Sequence, residues 1–292
     1  MKGLYRFFVL TGLVLLITSF CLSKTHEFSV ISYNVWNGFE SQVERRDAFV
    51  QWAIGHDVDV IAFQELNGFT QASFEQLAKT WGHPYAIIVK ENGYPVGISS
   101  KHPITNIYRF MKGMHHGGLY AEIKGINFFV VHFSPFSSAK RTEEANAVID
   151  FLERKDKLQE QTIILGDFNA FTPHDSSFYA RTGIRDRMYL KQKDNEILRN
   201  LNSKNEIDYQ VIDSFLKKGF YDSFSLFHSA FESSFPTKVF PTVSPNDFVK
   251  IDHALISKKL KRASKEVNLI KDAVTDTLSD HYPLKVIFRI NK

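Results

Sequence analysis

Apolar and polar positions along this chain fall into short blocks that switch between two periods. Residues 26–34 largely alternate and predict a strand ending at Asn34, with Val35-Trp36-Asn37-Gly38 as a turn. Residues 45–54 carry Ala48, Phe49, Trp52 and Ala53 at the 3.6-residue spacing of an amphipathic helix, stopped by Gly55-His56-Asp57. Residues 58–63 read as the next buried strand, which leads into Gln64-Glu65. A second helix is predicted over 69–81. Strands follow at 85–90 and 96–100 around Asn92-Gly93, and another at 104–110. Residues 111–118 are a loop holding His115, His116 and three glycines. Residues 119–123 and 126–133 read as a hairpin across Lys124-Gly125, with His132 near the end of its second strand. The clearest helix covers 142–158, its buried face marked by Ala145, Val148, Ile149 and Leu152. Thr162-Ile163-Ile164-Leu165 is a buried strand that stops at Gly166 and runs into Asp167-Phe168-Asn169. Residues 171–218 are polar and irregular apart from a helix at 209–217. Strands at 251–256 and 286–290 close the chain, separated by a turn at 278–283.

Strands outnumber helices, both recur throughout, and no repeat or linker composition interrupts them. The pattern predicts an α/β protein with two packed sheets flanked by helices. Of the 292 residues, 43% are hydrophobic and 27 are Phe, ample for one large layered domain over 25–292. The single cysteine, Cys21, excludes a disulfide framework and a cysteine zinc site.

The first 24 residues stand apart. Lys2 and Arg6 precede an apolar run from Phe7 to Phe20, the layout of an export signal and short for a membrane span. Ile17-Thr18-Ser19-Phe20-Cys21 also resembles a bacterial lipoprotein box, with Cys21 as the lipidated residue. Phe20 departs from it, because a small residue is expected there. Secretion and membrane attachment through a lipidated Cys21 both remain open. Removing Lys2 and Arg6 takes Lys plus Arg from 36 to 34 against 32 acids, so the formal balance falls from +4 to +2. A weakly basic body is no evidence of a nucleic-acid partner.

Candidate chemistry collects at strand ends: Asn34, Glu65, His132, Asp167, Asn169, Asp252, Asp280 and His281. Each alone has a plain explanation, such as a turn residue or a core histidine. In layered α/β folds, however, strand ends are where sites are built. In an extended segment Asp167 and Asn169 would point the same way, side by side at the mouth of a core strand. The stretch alone fits an Asx-rich turn at least as well.

With Ser32-Tyr33-Asn34, Phe63-Gln64-Glu65, Gly97-Ile98-Ser99-Ser100, Val130-Val131-His132, Gly166-Asp167-Phe168-Asn169, Ile251-Asp252-His253 and Ser279-Asp280-His281-Tyr282-Pro283 in this order, the chain resembles the endonuclease/exonuclease/phosphatase superfamily over roughly residues 28 to 290. The resemblance implies a four-layer α/β/β/α sandwich and a metal-dependent phosphoesterase. It implies Glu65 as the main Mg²⁺ ligand with Asn34 and Asp280 close to the ion; Mn²⁺ and Ca²⁺ are also compatible. It implies that Asp167 orients or deprotonates the attacking water and that Asn169 donates to the phosphoryl oxygen. His281, held by Asp252, stabilises phosphate charge, and His132 is the general acid. Lys250 stands where many relatives carry Arg, which weakens a bidentate or structural role there. His253 is read as packing.

The expected reaction is hydrolysis at phosphorus, with an extracytoplasmic endonuclease-like enzyme as the leading reading. A lipid-headgroup phosphodiesterase or small-molecule phosphatase is the alternative. The basic residues of 181–204 fit the first, although acids interrupt them. The aromatic run from Phe220 to Phe235 fits the second, or simply the core. A binding module without catalysis is disfavoured, because every polar position of the site is present.

Overall fold

A computed structural model describes residues 25–240, 244 and 247–291; the expected export signal, with Cys21, lies outside them. Among the described residues, twelve strands form two mixed six-stranded sheets. The first has the order β11 (Ser264–Leu269), β12 (Leu284–Asn291), β1 (Thr25–Asn34), β2 (Val60–Gln64), β4 (Gly97–Ser100), β3 (Tyr85–Ile88). The second runs β5 (Thr105–Phe110), β6 (Gly118–Ile123), β7 (Ile126–His132), β8 (Thr162–Asp167), β10 (Asp252–Ile256), β9 (Tyr221–Asp222). Each sheet has one parallel pair, β1 with β2 and β7 with β8, and is otherwise antiparallel.

Alternation along the strands builds the layers. Val30, Phe128, Val130, Ile163 and Leu165 point into the layer between the sheets, in one cluster with Val60, Ala62, Ala254 and Val286. Their neighbours Ile31, Tyr33, Ile61 and Phe63 point outward, against helices Val43–His56 and Gln71–Thr80. On the far side Phe129, Val131 and Ile164 pack under helices Ser138–Arg154 and Gln210–Lys217. Strands covered on both faces read as unbroken apolar runs, which explains Phe128 to Val131 in β7 and Ile163 to Leu165 in β8. The four layers are those the pattern predicts.

The central parallel pairs end together. Asn34 lies opposite Gln64 at the end of the first pair, and His132 opposite Asp167 at the end of the second. Asp252, the first residue of β10, also pairs with Asp167. Gly166 makes this junction possible. Its φ is +143°, and a Cβ there would lie 1.9 Å from the Val131 carbonyl oxygen.

Three stretches differ from the sequence expectation. Part of the polar region forms a helix, Ile184–Asp194. Residues 264–269, which carry no apolar run, add β11 at the sheet edge by pairing with β12. After Asn34, residues 36–41 coil through positive φ, so the expected turn is left-handed.

Candidate active site

The left-handed turn fixes the first acid. Gly38 donates its N–H to the Glu65 carbonyl at 2.6 Å, and Asn37 donates its N–H to Glu65 Oε2 at 2.8 Å. Only glycine fits at position 38, where a Cβ would sit 2.1 Å from the Asn67 carbonyl oxygen. The Asn34 amide nitrogen donates to Glu65 Oε1 at 3.1 Å and to Asp167 Oδ2 at 3.2 Å. Its oxygen accepts the Trp36 N–H at 3.0 Å, which fixes that orientation. Asn34 thus turns its donor toward the two acids.

Three nitrogens ring one oxygen. Around Asp167 Oδ2 lie Asn34 Nδ2 at 3.2 Å, His132 Nε2 at 3.5 Å and His281 Nε2 at 3.8 Å. Behind His281, Nδ1 is 2.8 Å from Asp252 Oδ2. Asp280 Oδ1 is 4.0 Å from His281 Nε2, and Ser279, which donates to the Asn34 carbonyl at 2.7 Å, ties this turn to β1.

These contacts set the charges. Burial disfavours a charged His281, but Asp252, Asp280 and Asp167 together outweigh it and hold the ring protonated well above its ordinary range. Burial, helped by the charges of Asp252 and Glu65, pushes Asp167 up to about 7. His132 goes the other way: burial and the neighbouring His116 keep it neutral. Asp280 is raised by burial, with the charge of Glu65 adding to it.

Asn169 corrects one expectation. The chain is not extended there: φ is +47°, and the Asn169 N–H folds back onto Asp167 Oδ1 at 2.8 Å. The two side chains share the cavity through this Asx turn, while Asn169 Nδ2 donates to the Phe133 carbonyl at 3.1 Å. Lys250 corrects another. It is 2% exposed, 3.0 Å from Asp175 and 3.9 Å from Asp222, and lies over the Phe224 ring. A buried point charge between two carboxylates is a structural role after all. His253 faces away from Asp252, packing edge-on against Phe168 and meeting the Ala170 carbonyl at 3.0 Å. The aromatic run divides: Phe220 and Phe224 are core, while Phe235 leans on His281.

The sequence reading missed three residues. His116 stacks on His132 with ring centres 4.1 Å apart and 21° between planes. Glu144, fully buried, accepts the N–H groups of His115 at 2.5 Å and Ser134 at 2.8 Å, pinning the histidine loop beside the end of β7. Arg141 lines the same cavity, which measures about 580 Å³. Arg141 and Glu144 fall at helical spacing from Ala145 and Val148, so two charges on a buried stripe were the available signal.

A sequence profile described as the Endonuclease/Exonuclease/phosphatase family matches residues 31–281. The chain belongs to this family of metal-dependent phosphoesterases. No curated protein sequence matches it. Among solved structures, an AP endonuclease from Archaeoglobus fulgidus superposes with TM-score 0.67 at 16% identity, covering 90% of this chain and 100% of the other. A 3′ phosphatase from Neisseria bound to a product DNA hairpin gives 0.66 at 20%, covering 89% and 99%. A family member from Bacteroides thetaiotaomicron gives 0.62 at 18%, covering 92% and 100%. At these identities the likeness is one of fold. The donors here fit a hard divalent cation: Glu65 and Asp280 offer carboxylate oxygens, and the described residues of the site include no cysteine.

Proposed function

We propose that this protein hydrolyses a phosphodiester of a nucleic-acid strand or nucleotide by attack of water at phosphorus, aided by a divalent cation, Mg²⁺ or Mn²⁺. The observation that carries this is Asp167 Oδ2, ringed by Asn34, His132 and His281 on the floor of a cavity shared with Glu65. A carboxylate poised near 7 suits a general base, and Asp167 takes the proton of the attacking water. The protonated His281 faces the phosphoryl oxygens and stabilises the charge that grows on them; Asp252 holds the ring and its proton. Asn169 supplies a second donor. His132 lies on the leaving-group side, where an incoming anionic phosphate favours its protonation. Glu65 and Asp280 would hold the cation, and Asn34 steadies Glu65 and Asp167. When bound, the cation neutralises phosphate charge and activates water.

The cationic cavity wall supports a nucleic-acid substrate, as does the fold shared with a DNA-bound 3′ phosphatase. Leu190 and Ile197, 58% and 67% exposed on the segment beside the cavity, favour a lipid headgroup as the second reading. The basic and then apolar N-terminus supports export.

Purified protein is given plasmid and single-stranded DNA, RNA, sphingomyelin vesicles and bis(4-nitrophenyl) phosphate with Mg²⁺, with and without EDTA. Nucleic-acid cleavage that EDTA stops is expected. Turnover of sphingomyelin alone moves the assignment to the second reading, and no EDTA-sensitive hydrolysis of any ester sinks both.

A further inference from the structure

The cavity that contains Asp167 and His281 is lined by four Lys and Arg side chains, Lys90, Arg141, Arg187 and Lys191. Among the described residues its only carboxylates are Glu65 and Asp167, both engaged at the reaction centre. Arg187 pairs with Asp247. The other three have no carboxylate within 4.0 Å among the described residues. Arg141 is the unusual one. It is 4% exposed, on the buried face of helix Ser138–Arg154. Its guanidinium donates to the Ser134 carbonyl at 3.0 Å and to Asn200 Oδ1 at 2.8 Å. The remaining Nη2 reaches only the Asn200 carbonyl at 3.5 Å, and Nε has no partner.

A buried guanidinium with no carboxylate in direct contact is costly, and its neutral acceptors together with the more distant charges of Asp208, Glu144 and Asp167 offset only part of that cost. Burial shows its effect by pulling the Arg141 pKa down to about 10. An anion entering the cavity would supply what the fold leaves out, and guanidinium geometry suits a phosphate. Elsewhere the cavity lining is apolar, with Phe171, Ile184, Met188 and Ile251. Such a surface suits the flat body of a nucleoside.

We infer that Arg141, backed by Lys90 and Lys191, forms a second anion subsite, so that the substrate carries a second phosphate beside the one that is hydrolysed. This deepens the phosphoesterase reading and rests on it. The second phosphate comes either from the neighbouring link of a strand or from a small bisphosphate.

The test compares thymidine 5′-(4-nitrophenyl phosphate) with the same ester bearing a 3′-phosphate, using the full chain and Mg²⁺. The 3′-phosphorylated ester has the higher kcat/KM, by roughly tenfold or more for one buried charge-assisted contact. In Arg141→Gln that ratio collapses toward one, and Arg141→Lys, which keeps the charge, restores part of it. Equal kcat/KM for the two esters in the native protein, or an unchanged ratio in Arg141→Gln, overturns the subsite. If neither ester is cleaved, the nucleotide-ester reading fails while calorimetry still decides the subsite. Thymidine 3′,5′-bisphosphate binds the native protein more tightly than thymidine 5′-monophosphate, and Arg141→Gln loses the difference; equal native affinities overturn it. Competition by oligothymidylate against competition by the bisphosphate tells strand from small molecule. Inhibition by either that depends on Arg141 supports the subsite, and by neither refutes it.

Discussion

The hydrogen bond between His281 Nδ1 and Asp252 Oδ2, 2.8 Å long, joins the two sheets: His281 precedes β12 of one, and Asp252 opens β10 of the other. Asp252→Asn removes the charge that keeps His281 protonated and leaves the shape. We expect kcat to fall roughly 10²- to 10³-fold, the cost of losing one donor that stabilises the developing charge, with a smaller change in KM. Steady-state kinetics on bis(4-nitrophenyl) phosphate check this; a native kcat would mean that Asp252 does not act through the ring.

Glu144 accepts two backbone N–H groups that have no other acceptor among the described residues. Glu144→Gln keeps one acceptor and sets an amide N–H against the other donor. The expected loss is about 1–3 kcal/mol in urea unfolding, from one unsatisfied buried group. Activity should fall as well, because the freed loop carries His116, the stacking partner of His132. Stability equal to that of the native chain would contradict the pairing.

At Gly166 a methyl group has nowhere to go. The Val131 carbonyl at 1.9 Å belongs to the adjacent parallel strand, so Gly166→Ala must part β7 from β8. A penalty above about 3 kcal/mol is expected from overpacking combined with an unfavourable φ. Soluble yield and thermal melting report it, and a variant that melts like the native protein would refute the close approach.

His83 gives the fold a pH dependence remote from the site. It is buried between Ser99 Oγ at 2.8 Å and the Val58 carbonyl at 2.9 Å. Burial first, with a push from Lys101 and a counter-pull from Asp59, takes its pKa from 6.5 down to about 4. Across that window the unfolded chain binds a proton that the folded chain resists. Stability is therefore full above pH 6.5 and declines as pH falls toward 4, by an amount on the order of 2–3 kcal/mol. Urea midpoints between pH 7 and 5 should fall less steeply in His83→Gln; identical slopes would exclude His83 as the cause.

The sequence made the central strands legible because strands buried on both faces cannot hide their apolar runs. The polar residues at their ends stood out for the same reason. Less was legible where the cause is distant. β11 has no apolar run of its own and exists because β12 offers an edge. The left-handed turn at 36–41 depends on Glu65 and Asn67, about thirty positions away. No spacing rule predicts that His116 lies flat on His132, since a loop and a strand end meet there only in the folded chain. Arg141 and Glu144 were visible as charges on an apolar stripe, but their partners lie on other elements.

The site is assembled across a seam. Asn34 and His281 ride on one sheet, Asp167 and Asp252 on the other, and both hydrogen bonds that link them span the gap. Apolar packing that includes Phe128 and Leu165 sets how far apart the two halves stand, and Ser234, bonded to Tyr282 on one side and to Val249 on the other, ties them at the rim. That layer serves as a spacer gauge for the chemistry. A slight shear of one sheet over the other would open both bonds while leaving every strand intact. Thinning the layer, as in Leu165→Ala, should silence the enzyme at temperatures where circular dichroism still reports a folded protein.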